Sequence, residues 1–453
     1  MLKPPGAVSY LSRHRIHATM PAMIRVGLLG CGTVGGGVIR LLRSNASYLS
    51  ARVGEPIDIA RVLVRDPAKD RVPELDRSRI TTNPADVLGD ETLDVVIEVM
   101  GGVDPARAHI RAAIASGKQV VTANKMLLAL HGGELLELAR KHGVDIAFEG
   151  AVGGGIPVIR VLRDSLASDT IDSLAGIING TSNYVLTRMR QGGLSFDDAV
   201  KEAQAKGYAE ADPTLDVGGG DAAHKLVVLS MLAFGARLDG VKVSTEGIDT
   251  IEAIDSAFAE RFGFVVKQLG IAKLKGDGPD APLELRVHPA LVAKDAPLAN
   301  INGVLNAVEI EGRALGPCLL SGRGAGDLPT AVSVVADLVD VAIAKKTGVS
   351  GNMTRAIRLN ERKLSSMDDV VTRYYVRFTV FDRPGVLAHI TGELGQRGVS
   401  IEQLVQQGRG DENVPVDVVM LTHEAKESAL QGALAAIAKS DYVARPPRMI
   451  RVH

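Results

Sequence analysis

Residues 23–37 read MIRVGLLGCGTVGGG, and this stretch decides the fold. Ile24–Leu29 is a short apolar run rich in β-formers. It ends abruptly in Gly30-x-Gly32-x-x-Gly35, and a helical pattern of apolar residues (Val38, Ile39, Leu41, Leu42) follows. A dinucleotide site needs that order. Gly30 permits the tight turn, Gly32 lets the backbone approach a pyrophosphate, and Gly35 lets the helix pack close to the strand; the helix N-terminus offers free N–H groups to the phosphates. Thr33 and Val34, between the last two glycines, are counted with them as cofactor-binding. The glycines alone also fit a turn with no ligand; the flanking strand and helix are what favour a Rossmann-type nucleotide site.

The pattern continues outward. β-prone runs at 57–64, 94–99, 119–122 and 145–148 alternate with helical stretches at 109–116 and 135–141, which end at Gly117 and Gly143. Strands alternating with helices predict a parallel, doubly wound α/β sheet over residues 23–155. From 156 to 320 the pattern changes to a mixed α+β unit in which helices dominate, with β-prone pieces at 173–178 and 284–287. Glycines 322, 324 and 326 precede a long apolar helix, and residues 321–346 are expected to return to the nucleotide domain. Residues 347–373 are polar and read as a linker. Residues 374–453 then follow a β-α-β-β-α-β order, the ferredoxin-like plan. Residues 1–22 carry basic residues without an apolar core. They read as a disordered extension, or as an over-long start with Met20 or Met23 as the true beginning.

At 453 residues the chain has room for two to four domains. Its net charge of −1 gives no reason to expect nucleic acid or a membrane surface as partner. No run of about 18 apolar residues predicts a membrane span. Two cysteines, Cys31 and Cys318, make neither a disulfide framework nor a metal cluster, which suits a reducing cytoplasm.

Three places carry charge where chemistry could use it. Arg65 ends the second strand, where Asp or Glu would suit NAD and Arg suits a 2′-phosphate. With Lys69 nearby it favours NADP; Asp66 keeps NAD open, and a solvated arginine is the plainer reading. Lys125 follows a strand, toward the cofactor crevice, yet most lysines so placed are solvated. Asp221 and Lys225 are i, i+4 at the head of an apolar helix, after Glu210, Asp212 and Asp216. Spacing alone leaves these as a surface salt bridge or as a polar pocket that recognises an ammonium group and supplies a proton. His224 projects elsewhere, and the absence of a second histidine at ligand spacing sets it aside as a zinc ligand.

Six motifs in order, GLLGCGTVGGGV, VTANK, FEGAVGGGIPVI, GIINGTSNYVL, GYAEADPTLDVGGGDAAHKL and GRGAGDLPTA, make residues 23–453 resemble homoserine dehydrogenases of the longer bacterial form with a C-terminal ACT domain. The resemblance implies NAD(P)-dependent interconversion of L-homoserine and L-aspartate 4-semialdehyde, on the route to threonine, methionine and isoleucine. It implies Lys225 as catalytic acid/base and Lys125 beside the nicotinamide and the reacting oxygen. Asp221, Glu210 and Asp216 would bind substrate or orient Lys225. Main-chain carbonyls of Glu149, Val152, Gly154 and Ile156 would hold sodium, and Gly326 would touch the cofactor from the far side. The last 80 residues resemble ACT modules around Asp382-Arg383-Pro384-Gly385, which implies an amino-acid effector, threonine, or else a purely oligomerising role. A cytoplasmic homodimer or homotetramer is expected. A non-catalytic amino-acid sensor and another NADP-dependent semialdehyde reductase remain the alternatives.

Overall fold

The computed structural model describes residues 23–278, 280–406 and 414–453. The extension expected at 1–22 lies outside them. The first unit is a six-stranded, all-parallel sheet: β1 (Ile24–Leu29), β2 (Ile57–Leu63), β3 (Ile80–Thr81), β4 (Val95–Glu98), β5 (Gln119–Thr122) and β6 (Ile146–Ala147), in the order 3-2-1-4-5-6. β4 and β5 are buried along their whole length, as strands covered on both faces must be. On one face lie the helices Ala106–Ala115 and Lys125–His142, through Ile110, Ile114, Leu127 and Leu135. On the other lie the nucleotide-turn helix Thr33–Ser44 and the helix Asp327–Lys346, which comes back from almost 200 residues downstream of the sheet. Val334, Leu338 and Val341 of that return helix share a core with Val26, Leu28 and Val38. The approach is close enough that a Cβ on Gly37 would come 2.6 Å from the Asp327 carbonyl oxygen.

The helix predicted at 135–141 in fact begins at Lys125. Gly132 and Gly133 hide its continuity from the sequence, and His131 departs from helical geometry beside them. Both glycines are packing sites: their missing side chains admit Met231 and Asp239, and the Gly133 N–H donates to the Asp239 carboxylate at 2.6 Å.

The second unit is the mixed α+β unit expected, with more strand than the two β-prone pieces at 173–178 and 284–287 suggest. β7 (Ile171–Ile177) pairs with Phe264–Leu274 on one side and Leu305–Gly312 on the other, and Gly316–Arg323 forms the edge. Phe264–Leu274 is buried over nine consecutive residues, including Lys267, so it shows no alternation to read. Next to it, Leu283–Ala293 pairs in parallel with the C-terminal strand Val443–Val452, Ala290 opposite Arg451 and Leu291 opposite Val452. The sheet then runs on through Tyr374–Phe381, Pro415–Thr422 and Ile401–Gln406. With the helices Val386–Gln396 and Glu427–Ile437 these make the β-α-β-β-α-β module anticipated from the sequence. Its sheet is continuous with that of the second unit. Residues 347–373 are tied to what they cross: the backbone amides of Gly351 and Thr354 donate to buried Asp145, and the Leu283 N–H to the Lys363 carbonyl.

Candidate active site

Ligands of doubly wound sheets bind beyond the carboxyl ends of the strands, and the structure gathers polar groups there. A cleft of about 830 Å³ is lined by Gly30 and Gly32 after β1, Arg65, Asp66, Lys69 and Arg71 after β2, and Met100–Gly102 after β4. Gly30 has φ of 95°, and a Cβ there would meet the Val99 carbonyl oxygen at 2.8 Å. A Cβ on Gly35 would collide with the Gly30 carbonyl, whereas one on Gly32 would meet nothing within 4 Å. The nucleotide-turn helix has no side-chain cap and no acidic residue in its first turn, so its N–H groups are free for an anion. These features fit a dinucleotide. Arg71 escaped the sequence reading; its guanidinium donates to the carbonyls of Asp66 (2.6 Å) and Lys69 (2.8 Å) and so shapes the loop that carries Arg65. Cys31 lines the same cleft, and burial raises its thiol pKa.

Glu98 ends β4 in the interior and accepts from the Met100 N–H (2.8 Å) and the Thr122 hydroxyl (2.7 Å). Burial raises its carboxyl pKa against those bonds. Asn124 donates to the Gly102 carbonyl (2.7 Å) and caps the next helix through the Leu127 N–H (3.1 Å). The first residue of that helix is Lys125, so a cation occupies the positive end of a helix, an unfavourable place without a counter-charge.

Asp221 supplies that counter-charge. Its buried carboxylate accepts from Lys125 Nζ at 2.9 Å on one oxygen, and from Lys225 Nζ at 2.7 Å and the Asn179 amide at 2.8 Å on the other. Lys225 also donates to the Ile178 carbonyl at 2.7 Å. Asp221 and Lys225 lie on the helix Gly220–Ala233, and both are buried. Burial alone would raise the Asp221 pKa; the two ammonium groups outweigh it and hold the carboxyl well below its usual range. Asn179 caps the helix Gly180–Gly192 and gives its amide to Asp216 (2.8 Å) as well as to Asp221. The Asp216 pKa is raised, by burial first and by the Asp221 charge, against its bond from Asn179. Asn179 also escaped the sequence reading, although Asn before a helical run is an N-cap signal that could have found it.

The remaining expected residues divide. Asp216 joins the cluster through Asn179. Glu210 is exposed on the turn after the helix Phe196–Ala205, with its backbone carbonyl accepting from Gln204. Gly326 starts the return helix with φ of 125°. The segment containing Glu149, Val152, Gly154 and Ile156 is buried, turns through Gly153 and Gly154 at positive φ, and is held by the return helix. The Ser333 hydroxyl donates to the Gly154 carbonyl at 2.6 Å, leaving that oxygen one lone pair. The Asp337 carboxylate accepts from the Glu149 N–H at 2.7 Å.

Comparison with known proteins identifies the family of the chain. Residues 157–339 match the family model described as homoserine dehydrogenase, residues 30–149 the homoserine dehydrogenase NAD binding domain, and residues 374–440 the ACT domain. This chain belongs to the homoserine dehydrogenase family. It is 41% identical over 435 residues to the homoserine dehydrogenase of Neisseria gonorrhoeae, covering 95% of this chain and 98% of the relative. The Pseudomonas aeruginosa enzyme is 42% identical over the same length and coverage. The crystal structure of a homoserine dehydrogenase from Thiobacillus denitrificans is 44% identical, with a TM-score of 0.87 over 95% of this chain and 98% of that one. A hyperthermophilic archaeal homoserine dehydrogenase mutant in complex with NADPH shares 25% identity and a TM-score of 0.60 over 71% of this chain and 98% of its own. The chain is therefore an oxidoreductase acting on a CH–OH group, with a nicotinamide-dinucleotide domain and a C-terminal ACT module, and the non-catalytic sensor is set aside. Among the described residues no helix is long and apolar enough to cross a membrane.

Proposed function

We propose that the enzyme interconverts L-homoserine and L-aspartate 4-semialdehyde with NADP in preference to NAD, and that Lys225, Lys125 and Asp221 carry the chemistry. The observation behind this reading is the buried carboxylate that bridges two ammonium groups beside the cofactor crevice. When bound, the dinucleotide supplies or accepts the hydride. Lys225 gives a proton to the carbonyl oxygen during reduction and takes it back during oxidation. Lys125 adds positive charge where the alkoxide develops. Asp221 keeps both ammonium groups in place. Glu210 and Asp216 meet the substrate ammonium.

Arg65, with Lys69, meets the 2′-phosphate, and Gly326 closes on the cofactor from the return-helix side. The carbonyls of Glu149, Val152, Gly154 and Ile156 hold sodium, a hard cation suited to oxygen donors. In the ACT module a cavity of about 410 Å³ lined by Asp382, Arg383, Gly385 and Gln406 receives threonine. Gly385, at φ of 93°, begins the helix Val386–Gln396 without a side-chain cap, so its N–H groups suit a carboxylate. Threonine inhibition fits a cytoplasmic biosynthetic enzyme for threonine, methionine and isoleucine that works as a homodimer or homotetramer.

The test is titration of NADPH fluorescence followed by homoserine-dependent NADPH formation. Lys225→Ala should lose at least about 100-fold in kcat, the lower size of an acid–base contribution, with NADPH affinity nearly unchanged. Turnover like that of the native enzyme would remove Lys225 from the role.

A further inference from the structure

Asn306, on the strand Leu305–Gly312, is 1% exposed, and neither its amide nitrogen nor its amide oxygen has a hydrogen-bond partner among the described residues. A buried carboxamide offers two donors and an acceptor, and leaving them unmet destabilises a fold. Native structures hold few such groups, and those few ask for an explanation. Leucine would fill nearly the same shape without the penalty, so packing does not account for the amide.

Its surroundings suggest what does. Asn306 is opposite Gly322 in the ladder, and Ala307 is opposite Ile177. The next residues of that neighbouring chain, Ile178 and Asn179, hold Lys225 and Asp221. A Cβ on Gly180 would lie 3.4 Å from the Asn306 oxygen, and one on Gly324 would overlap the carboxamide. On its far side Gly324 abuts the proposed cation segment: a Cβ on Gly154 would lie 2.6 Å from the Gly324 carbonyl carbon, and the Gly155 N–H donates to the Arg323 carbonyl at 3.2 Å. The carboxamide thus separates the strand end that holds Lys225 from the glycine loop that opens the return helix. Gly180, Gly322 and Gly324 have no side chains, so main-chain N–H and C=O are the only polar groups they can offer it.

We propose that Asn306 is a positioning residue for the family's reaction: with cofactor and substrate bound, its carboxamide hydrogen-bonds the main chain of the 322–326 loop, locking that loop against Ile178–Gly180 and fixing Lys225 at the reacting oxygen. This rests on the reading of Lys225 as the proton-transfer group. The amide that the protein's own described groups leave unmet is then satisfied in the working state, and stability and activity should respond to its removal in opposite directions.

The experiment compares Asn306→Leu, Asn306→Ala and Asn306→Ser by melting temperature without ligand, by the rise in melting temperature with saturating NADPH, and by kcat and KM for homoserine. Asn306→Leu should melt no lower than the native enzyme, show a smaller NADPH-induced rise, and lose kcat on the order of 100-fold, the cost of misplacing a reacting group by about 1 Å. Asn306→Ser, which keeps a donor and an acceptor, should retain at least about tenfold more kcat than Asn306→Ala of nearly the same size. Equal activity of the Ser and Ala variants would overturn the proposal even if the Leu variant fails to fold. So would a Leu variant with native kcat, or one whose kcat falls only in step with its melting temperature. In a Lys225→Ala background the Asn306 substitutions should lower kcat no further, and an independent loss there also overturns it. A Lys225→Ala enzyme with native turnover would instead refute the proton-transfer reading itself.

Discussion

Replacing Asp221 by asparagine keeps the shape of the side chain and removes the charge on which the proposed site is built. Three donors now converge on its carboxylate: Lys125 at 2.9 Å, Lys225 at 2.7 Å and Asn179 at 2.8 Å. An amide offers one acceptor oxygen to them and turns its own NH₂ toward one of the donors. The two ammonium groups remain, bonded to opposite oxygens of the former carboxylate; two unit charges about 5 Å apart at an effective dielectric of about 20 repel by about 3 kcal/mol. Solvent relieves part of this. The Lys125 side chain is 37% exposed and can swing outward, whereas Lys225, at 10%, stays bonded to the Ile178 carbonyl. Discounting for that exposure leaves about 2 kcal/mol, or roughly 30-fold in rate, as the expected loss of kcat in homoserine-dependent NADPH formation. NADPH affinity by fluorescence should change by less than about threefold, because Asp221 does not line the nucleotide cleft. Acid unfolding supplies an independent check. The folded Asp221 carboxyl is depressed below its unfolded value of about 3.9, so its contribution to stability is full above that pH and is lost as pH falls through the folded value. The stability gap between native enzyme and Asp221→Asn should therefore be widest above pH ~4 and close below it. Unchanged kcat, or a loss carried entirely by weaker NADPH binding, would refute the bridging role.

Arg65→Ala should weaken NADPH by roughly 1.5–3 kcal/mol, the size of a hydrogen bond to a charged group, and leave NADH almost untouched; equal losses would reduce Arg65 to a support of the fold. Asp337, pushed up to about 7 by burial and the Glu149 charge, binds its proton more tightly folded than unfolded. Its contribution is thus present below pH ~4 and lost as pH rises toward 7, by at most about 4 kcal/mol. Asp337→Asn should flatten melting temperature against pH over that range, and a slope like that of the native enzyme would contradict the assignment. Calorimetry of the full chain, with and without NADPH, should show threonine binding that Gly385→Val abolishes, since valine cannot adopt the φ of 93° found there; no heat in the native enzyme would leave the module as an assembly unit.

The nucleotide unit was legible because its signals are local. A strand, a glycine turn and a helix within fifteen residues fix one another, and β1 and β5 fall where the apolar runs place them. The ACT helix Val386–Gln396 is bounded by a turn and a glycine and reads equally well. The strands of the second unit do not announce themselves, because both faces are covered and a lysine, Lys267, lies inside one of them. That ammonium is met by Asn183, Asn302 and the Ile301 carbonyl, all distant in sequence. In Val443–Val452 the prolines Pro446 and Pro447 interrupt the β-prone pattern, and the ladder shifts register around them. At the site, the Asp221–Lys225 pair follows from helical spacing, but the bridge to Lys125 joins residues 96 apart, and no periodicity reports such a contact.

The continuous sheet changes what an experiment on the ACT module means. Arg377 of the module pairs with buried Asp255 of the catalytic unit at 2.8 and 3.2 Å, and the Tyr375 hydroxyl donates to the same carboxylate at 2.9 Å. Arg451 reaches Glu246 at 2.8 Å, and the Glu246 N–H donates to Val287. One residue earlier, Thr245 packs on Gly219, where a Cβ would come 2.8 Å from its methyl carbon; Gly219 begins the helix that carries Asp221 and Lys225. Ile450 and Val452 fill a core with Phe264, Val266 and Leu291. Deleting the module would strip partners from the buried Asp255 carboxylate, a loss of the kind that costs about 3–5 kcal/mol, and would expose that core. Inactivity of a truncated chain would then report damage to the catalytic unit, not the loss of a regulator. The same contacts place the module's C-terminal strand two contacts from the start of the Lys225 helix, so a ligand that shifts the strand has a short physical route to the proton-transfer group.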